Sequence, residues 1–276
     1  MLQYEKELDD FIAFLREDEK SKNTIFKYKN NILSFLKYLG KKSLNKNIVI
    51  DFKDKLDNIN EYLPNTTNNY LVSINKFLKF INREDCCVKI IKQQKKFSAK
   101  NSIDYTDYHR LLRISLKHNM EQHYIISRIL GETGIRISEL KFFTIENLDK
   151  TMTIKNKGKV RKITVHIELL NYIKKYCKKN NIIEGYIIFN PKTKNIYADS
   201  TIWRKLKKIA GLARVNKEKI HPHAFRKYFA KQYLDMYPND IAGLADILGH
   251  NSLETTRIYT KLTDDETEKK VRKVKF

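Results

Sequence analysis

Leu8, Phe11, Ile12 and Leu15 recur at the i, i+3, i+4, i+7 spacing of an amphipathic α-helix. The pattern continues beyond them. Ser21-Lys22-Asn23-Thr24 supplies a cap for a second helix, with Ile25, Tyr28, Ile32, Phe35, Leu36 and Leu39 on its inner side and Gly40 as its stop. A third helix is expected over Ile48–Leu56. A fourth is expected from Asn65 or Thr66, with Tyr70, Leu71, Ile74, Phe77, Leu78 and Ile81 inward. Apolar stripes of this kind must be buried against other helices, so residues 1–90 predict a four-helix unit.

The following stretch, residues 91–103, is basic and has no apolar period, and it reads as an interdomain linker. Residues 104–276 mix two periods. Helices are expected at Tyr105–Leu116, Tyr124–Glu132, Ile167–Lys178, Ser200–Ala210 and Ala224–Met236. Gly134 is expected to stop one helix before Ile137–Phe143 begins another. A last helix should start at Asn251, with Asn251 and Glu254 in a capping-box pattern. Between them, Thr151–Ile154 and Lys162–Val165 flank Asn156-Lys157-Gly158-Lys159, the pattern of a β-hairpin. The expected fold class is mainly α with a small β-sheet, in two domains.

Composition limits the function. The 276 residues carry 55 Lys+Arg against 32 Asp+Glu, a net +23. Residues 1–100 hold 20 basic and 13 acidic side chains (+7), and residues 101–276 hold 35 and 19 (+16). Such an excess is costly in self-repulsion unless a polyanion is the partner, and nucleic acid is the first candidate. With 41% hydrophobic residues, a wholly disordered basic chain is excluded. Apolar runs such as Tyr186–Phe189 are far too short to span a membrane, and the N-terminus shows no secretory signal. Cys86, Cys87 and Cys177 form neither a disulfide framework nor a metal-ligand spacing, which fits a reducing compartment. A cytoplasmic, nucleoid-associated protein is expected. Lys outnumbers Arg by 43 to 12, so each arginine is informative where a point charge would have sufficed.

Four segments stand out. Thr133–Leu140 places Arg136 just after a helix stop. Lys157-Gly158 occupies the hairpin tip. His221–Arg226 sets His223 and Arg226 three apart at a helix start. Leu248-Gly249-His250 is followed nine residues later by Tyr259. Each is weak alone. In this order they resemble the tyrosine recombinase (phage integrase) family, most specifically in Gly134–Leu140 and in Leu248-Gly249-His250…Thr255-Thr256…Tyr259. The likeness covers nearly the whole chain. Residues 1–90, including the Thr24–Phe35 helix with Tyr28, resemble the family's core-binding (SAM-like) domain. Residues from about 104 resemble its α+β catalytic domain.

The resemblance implies a site-specific recombinase that cleaves and rejoins DNA strands through a 3′-phosphotyrosyl link. By match, Tyr259 is the nucleophile. Arg136 and Arg226 bind the phosphate, His223 assists proton transfer, His250 bonds a non-bridging oxygen, and Lys157 is the general acid. No cofactor or metal is implied. Lys155 and Lys159 share the turn with Lys157, which is favoured because it precedes Gly158. Lys227 stands where many members carry another His. Glu139 matches a supporting position, and His221 is read as structural. The implied partners are double-stranded DNA and further recombinase subunits in a tetramer on two sites, with the tail Thr260–Phe276 packing into a neighbour. The implied roles are integration, excision or resolution of DNA elements. Two other readings are a non-catalytic DNA-binding regulator on the same fold and a type IB topoisomerase-like relaxing enzyme.

Overall fold

The computed structural model describes residues 3–59, 62–92, 102–156, 159–221 and 223–249, with Thr256 and Arg272. The chain divides into two units, Met1–Lys95 and Lys96–Phe276.

In the first unit, α1 (Glu5–Glu17), α2 (Lys22–Leu39), α3 (Lys46–Asp54) and α4 (Pro64–Phe80) follow in order. The stripes read from the sequence are the ones buried. Phe11, Leu15, Ile32, Phe35, Leu39, Leu71, Ile74 and Phe77 make one core, with Phe11 edge-on to Phe77 at 5.6 Å and Phe35 to Phe52 at 5.4 Å. Ser21 caps α2 by accepting from the Thr24 N–H at 3.2 Å. Two helix starts differ from expectation. Asn45, not a residue near Ile48, caps α3, its Oδ1 accepting from the Ile48 N–H at 3.1 Å. α4 starts at Pro64 rather than Asn65 or Thr66, because proline's fixed φ and missing N–H suit the first helical turn.

After α4 the chain is irregular but held. Asn68 and Asn75, two turns apart on one face of α4, each bond a residue of the outgoing chain in both directions. The Asn75 amide donates to the Val88 carbonyl at 2.7 Å, and its oxygen accepts from the Val88 N–H at 3.1 Å. Asn68 does the same to Ile91, at 2.9 and 2.8 Å. The side-chain amides thus stand in for a strand partner.

In the second unit Ile103 is buried in the core, and the chain runs through α5 (Tyr105–Lys117), α6 (Glu121–Thr133), a 3-10 helix (Ile137–Phe142), β1 (Thr151–Asn156), β2 (Lys159–Thr164), α7 (Ile167–Lys179), α8 (Asp199–Leu212), α9 (Ala224–Met236) and α10 (Ile241–Leu248). α6 is the hub, in contact with α5, α7, α8 and α9. It is buried on most sides through His123, Ile125, Ile126, Ile129, Leu130 and Gly131. α6 ends where expected, with Gly134 in the left-handed region (φ 62°).

Three features depart from the sequence reading. The segment after Gly134 is a 3-10 helix rather than an α-helix. The strands are longer than expected and pair from Thr151↔Thr164 to Asn156↔Lys159. α10 was not anticipated. Asp240 caps it by accepting from the Gly243 N–H at 2.8 Å, and Leu244 and Leu248 bury against Ala230 and Phe229 of α9. The helix expected from Asn251 lies outside the described residues. Among the described residues, no helix is long and apolar enough to cross a membrane.

Candidate active site

The first contributor is the turn after α6. Gly134 adopts φ 62° without the strain a side chain brings, and there is no space for one. A Cβ would stand 2.5 Å from Phe229 and 2.8 Å from Leu248. This tight turn sends the chain into the 3-10 helix with Arg136 at its N-cap. Glu139, in the first 3-10 turn, reaches back. Its Oε2 accepts from the Arg136 backbone N–H at 2.9 Å and its Oε1 from Arg136 Nη1 at 3.2 Å. The carboxylate is buried, whereas the Arg136 side chain is 36% exposed, so the pair joins a buried anion to a cation that solvent still reaches.

The second contributor is the start of α9. His223 is its N-cap and Arg226 lies in the first turn. Arg226 is 2% exposed, and it ranks among the largest fully buried side chains. Its fork is spread between two distant carbonyls. Nη1 donates to Gly134 O at 2.8 Å and Nη2 to Leu248 O at 2.6 Å. A guanidinium carries its N–H donors in one plane, so these two bonds fix its orientation. One acceptor lies two residues before Arg136, and the other two residues before His250.

His223 is exposed, yet its imidazole pKa is lowered. Desolvation by surrounding protein is the main cause, followed by the charges of Arg226, Arg136 and Lys227. Both effects favour the neutral ring.

The structure therefore brings together Arg136, His223 and Arg226, residues 90 positions apart in sequence, around the Gly134 turn. Lys157, His250 and Tyr259 lie outside the described residues. The segments leading to two of them converge on the same place. β2 leads from the hairpin tip, and α10 ends at Leu248 in contact with Arg226. Glu139 is the buried support that its position suggested.

One contributor was missed. Arg161 stands on β2, opposite Ile154. Its Nη2 donates to Glu139 Oε2 at 2.7 Å, and its Nη1 donates to the Ile247 carbonyl. The signal was present in the sequence. Arg161, Ile163 and Val165 alternate on one strand face, and the last two are core residues. A charge at an inward position needs a partner.

With this geometry established, comparison with known proteins decides the family. The profile of the phage integrase family matches residues 101–266, and that of the phage integrase N-terminal SAM-like domain matches residues 8–85. The chain belongs to the phage integrase family. As such it is a tyrosine recombinase, an enzyme of site-specific DNA recombination. It is 28% identical to the tyrosine recombinase XerA of Pyrococcus furiosus over 263 residues, covering 93% of this chain and 89% of that one. A tyrosine recombinase of Agathobacter rectalis is 32% identical over 151 residues, 52% of this chain and 49% of that one. Among solved structures, lambda integrase (residues 75–356) bound to DNA superposes with a TM-score of 0.74 at 15% identity, with all of both chains covered. XerH bound to its difH substrate superposes at 0.71 and 18% identity, covering 90% of this chain and 78% of that one. The two-unit fold, helical with a two-stranded sheet, is that of an integrase: a SAM-like N-terminal domain and a catalytic domain.

Proposed function

We propose that this integrase cuts one DNA strand with the Tyr259 phenol, assisted by Arg136, Lys157, His223, Arg226 and His250. The observation that carries the reading is the convergence of the Arg136 turn with the start of α9, which carries His223 and Arg226, with both arginines held by protein acceptors. In the pentavalent transition state the non-bridging oxygens of the phosphodiester gain negative charge. Permanently charged planar forks, already oriented, stabilise that charge without reorganising.

The chemistry balances without an outside reagent. The Tyr259 oxygen forms a bond to phosphorus as the bond from phosphorus to the 5′-oxygen breaks. The phenol, with an ordinary pKa of ~10, must lose its proton, and the neutral imidazole of His223 is suited to accept it. His250 bonds a non-bridging oxygen, and Lys157 protonates the departing 5′-oxygen. Because the phosphoryl group stays on the enzyme, the reverse reaction with a new 5′-hydroxyl rejoins strands, and neither ATP nor a metal is required for that step.

Residues 1–90 act as a core-binding domain and residues 104–276 as the catalytic domain, joined by the basic stretch 91–103. Both are net positive, so phosphate contacts supply much of the affinity, with a steep dependence on salt. Exchange between two duplexes calls for a tetramer on two sites, and the substrate places the enzyme at the nucleoid.

The test is Tyr259→Phe, which keeps the ring and removes the nucleophile. The variant should bind duplex DNA with wild-type affinity and form no covalent protein–DNA adduct on denaturing gels. Adducts from Tyr259→Phe would show that another residue attacks.

A further inference from the structure

We propose that Arg161 is a positioning residue for strand cleavage: a clamp that holds the Arg136 turn, the β-hairpin and the end of α10 in one register. The inference rests on the assignment of Arg136 to the phosphate, and it adds a residue outside the six.

β2 presents Val160 to solvent, while Ile163 faces the core and Val165, just after the strand, continues the same face. Arg161 falls on that inward face, opposite Ile154, which is itself 1% exposed. A guanidinium in such a position loses hydration, and full use of its fork is the compensation. Two contacts supply it. Glu139 receives Arg161 Nη2 at 2.7 Å through the same oxygen that caps the Arg136 backbone N–H. The Ile247 carbonyl, at the C-terminus of α10, receives Nη1. A cation there also meets the negative end of the helix dipole.

Gly249 completes the clamp. It ends α10 at φ 65°, and a Cβ built on it would stand 2.7 Å from Arg161 Cδ. The aliphatic stem of Arg161 therefore lies against the turn that leads directly to His250. Three separate segments meet at one side chain: residues 136–139, strand β2, and residues 247–249. Each is within a few positions of a residue assigned to the reaction.

This arrangement sets the charge state of the Arg136 neighbourhood. Glu139 is shared by two guanidiniums. With Arg161 removed, the buried carboxylate would lose one guanidinium and draw more strongly on Arg136, in competition with the scissile phosphate. The expected defect is in the chemical step rather than in DNA binding. Lysine cannot substitute fully, because one ammonium on a flexible stem does not span Glu139 and the Ile247 carbonyl in a fixed plane.

The experiment measures single-turnover adduct formation at saturating duplex, alongside DNA affinity and the folded fraction. Arg161→Met should slow adduct formation about 100-fold per folded molecule, the scale of a misplacement near 1 Å. Its dissociation constant for DNA should stay within about threefold of wild type, because cleavage geometry and duplex affinity are separate quantities. Arg161→Lys should recover part of the rate. In an Arg136→Ala background, Arg161→Met should cost less than about threefold more, since the two act through one carboxylate. Wild-type rates in Arg161→Met, or in Arg161→Lys should the first variant not fold, would overturn the clamp. So would a loss of equal size with and without Arg136. Wild-type and Tyr259→Phe proteins run alongside separate the two claims. A wild-type protein that forms no adduct refutes the functional reading and this inference with it, whereas adducts independent of Arg161 refute the inference alone.

Discussion

Replacing Arg226 with lysine tests whether the buried fork is structural as well as chemical. The side chain is 2% exposed and spans Gly134 O at 2.8 Å and Leu248 O at 2.6 Å. A hydrogen bond from a charged donor contributes about 1.5–3 kcal/mol, and an orphaned buried acceptor costs about 1–3 kcal/mol. Lysine keeps the charge but places one nitrogen where two were needed, so one carbonyl loses its partner. The expected destabilisation is about 2–3 kcal/mol. For a unit of this size that lowers the melting temperature by roughly 5–10 °C. Urea unfolding of the full chain, followed by circular dichroism and fitted for the second unit, measures it. Cleavage should fall as well, because the Gly134 turn carries Arg136 and the Leu248 carbonyl precedes His250. A variant within about 0.5 kcal/mol of wild type would refute the reasoning, since that is the range of surface substitutions away from such features. It would mean that the two carbonyls find water or another donor without cost.

Two further perturbations read the same framework. His123 on α6 is buried with no partner for Nε2 among the described residues, and its pKa falls to about 4 through desolvation and then the charges of Lys205 and Lys208. The folded state resists protonation that the unfolded chain accepts, so stability is full above pH ~6.5 and is lost as pH falls towards 4, by about 3 kcal/mol in all. His123→Gln should flatten that part of a stability–pH curve, and an unchanged slope would assign the loss to other groups. Gly134→Ala combines a left-handed φ with a 2.5 Å approach to Phe229, and it should destabilise by about 3 kcal/mol in thermal unfolding. A melting temperature equal to wild type would show that the turn relaxes freely.

The helices were legible because their burial is written as a local period. α9 spans Ala224–Met236 as expected, and α1 and α2 bury the stripes read from the sequence. Where local and tertiary preferences diverged, the sequence reading slipped. Ile137–Phe142 has helical spacing, yet the carboxylate of Glu139 turns back to cap Arg136, and the segment winds as a 3-10 helix. α10 is only eight residues long, too short to show a period against the apolar run around it. Its caps, Asp240 and Gly249, were the available sign. Arg161 carried a readable signal, a charge on the core face of a strand, but nothing nearby in sequence names its partners.

The sequence by itself determined the inventory: which faces would be buried, that the chain would be basic throughout, and which ordered residues mark an integrase. Only the tertiary structure decided what holds the site residues. Gly134 and Leu248 lie 92 and 22 positions from Arg226, and Ile247 lies 86 from Arg161. Hydrogen bonds over such separations depend on how helices and strand come to rest against one another. Their partners are backbone carbonyls, which every residue possesses, so no residue type marks them in advance.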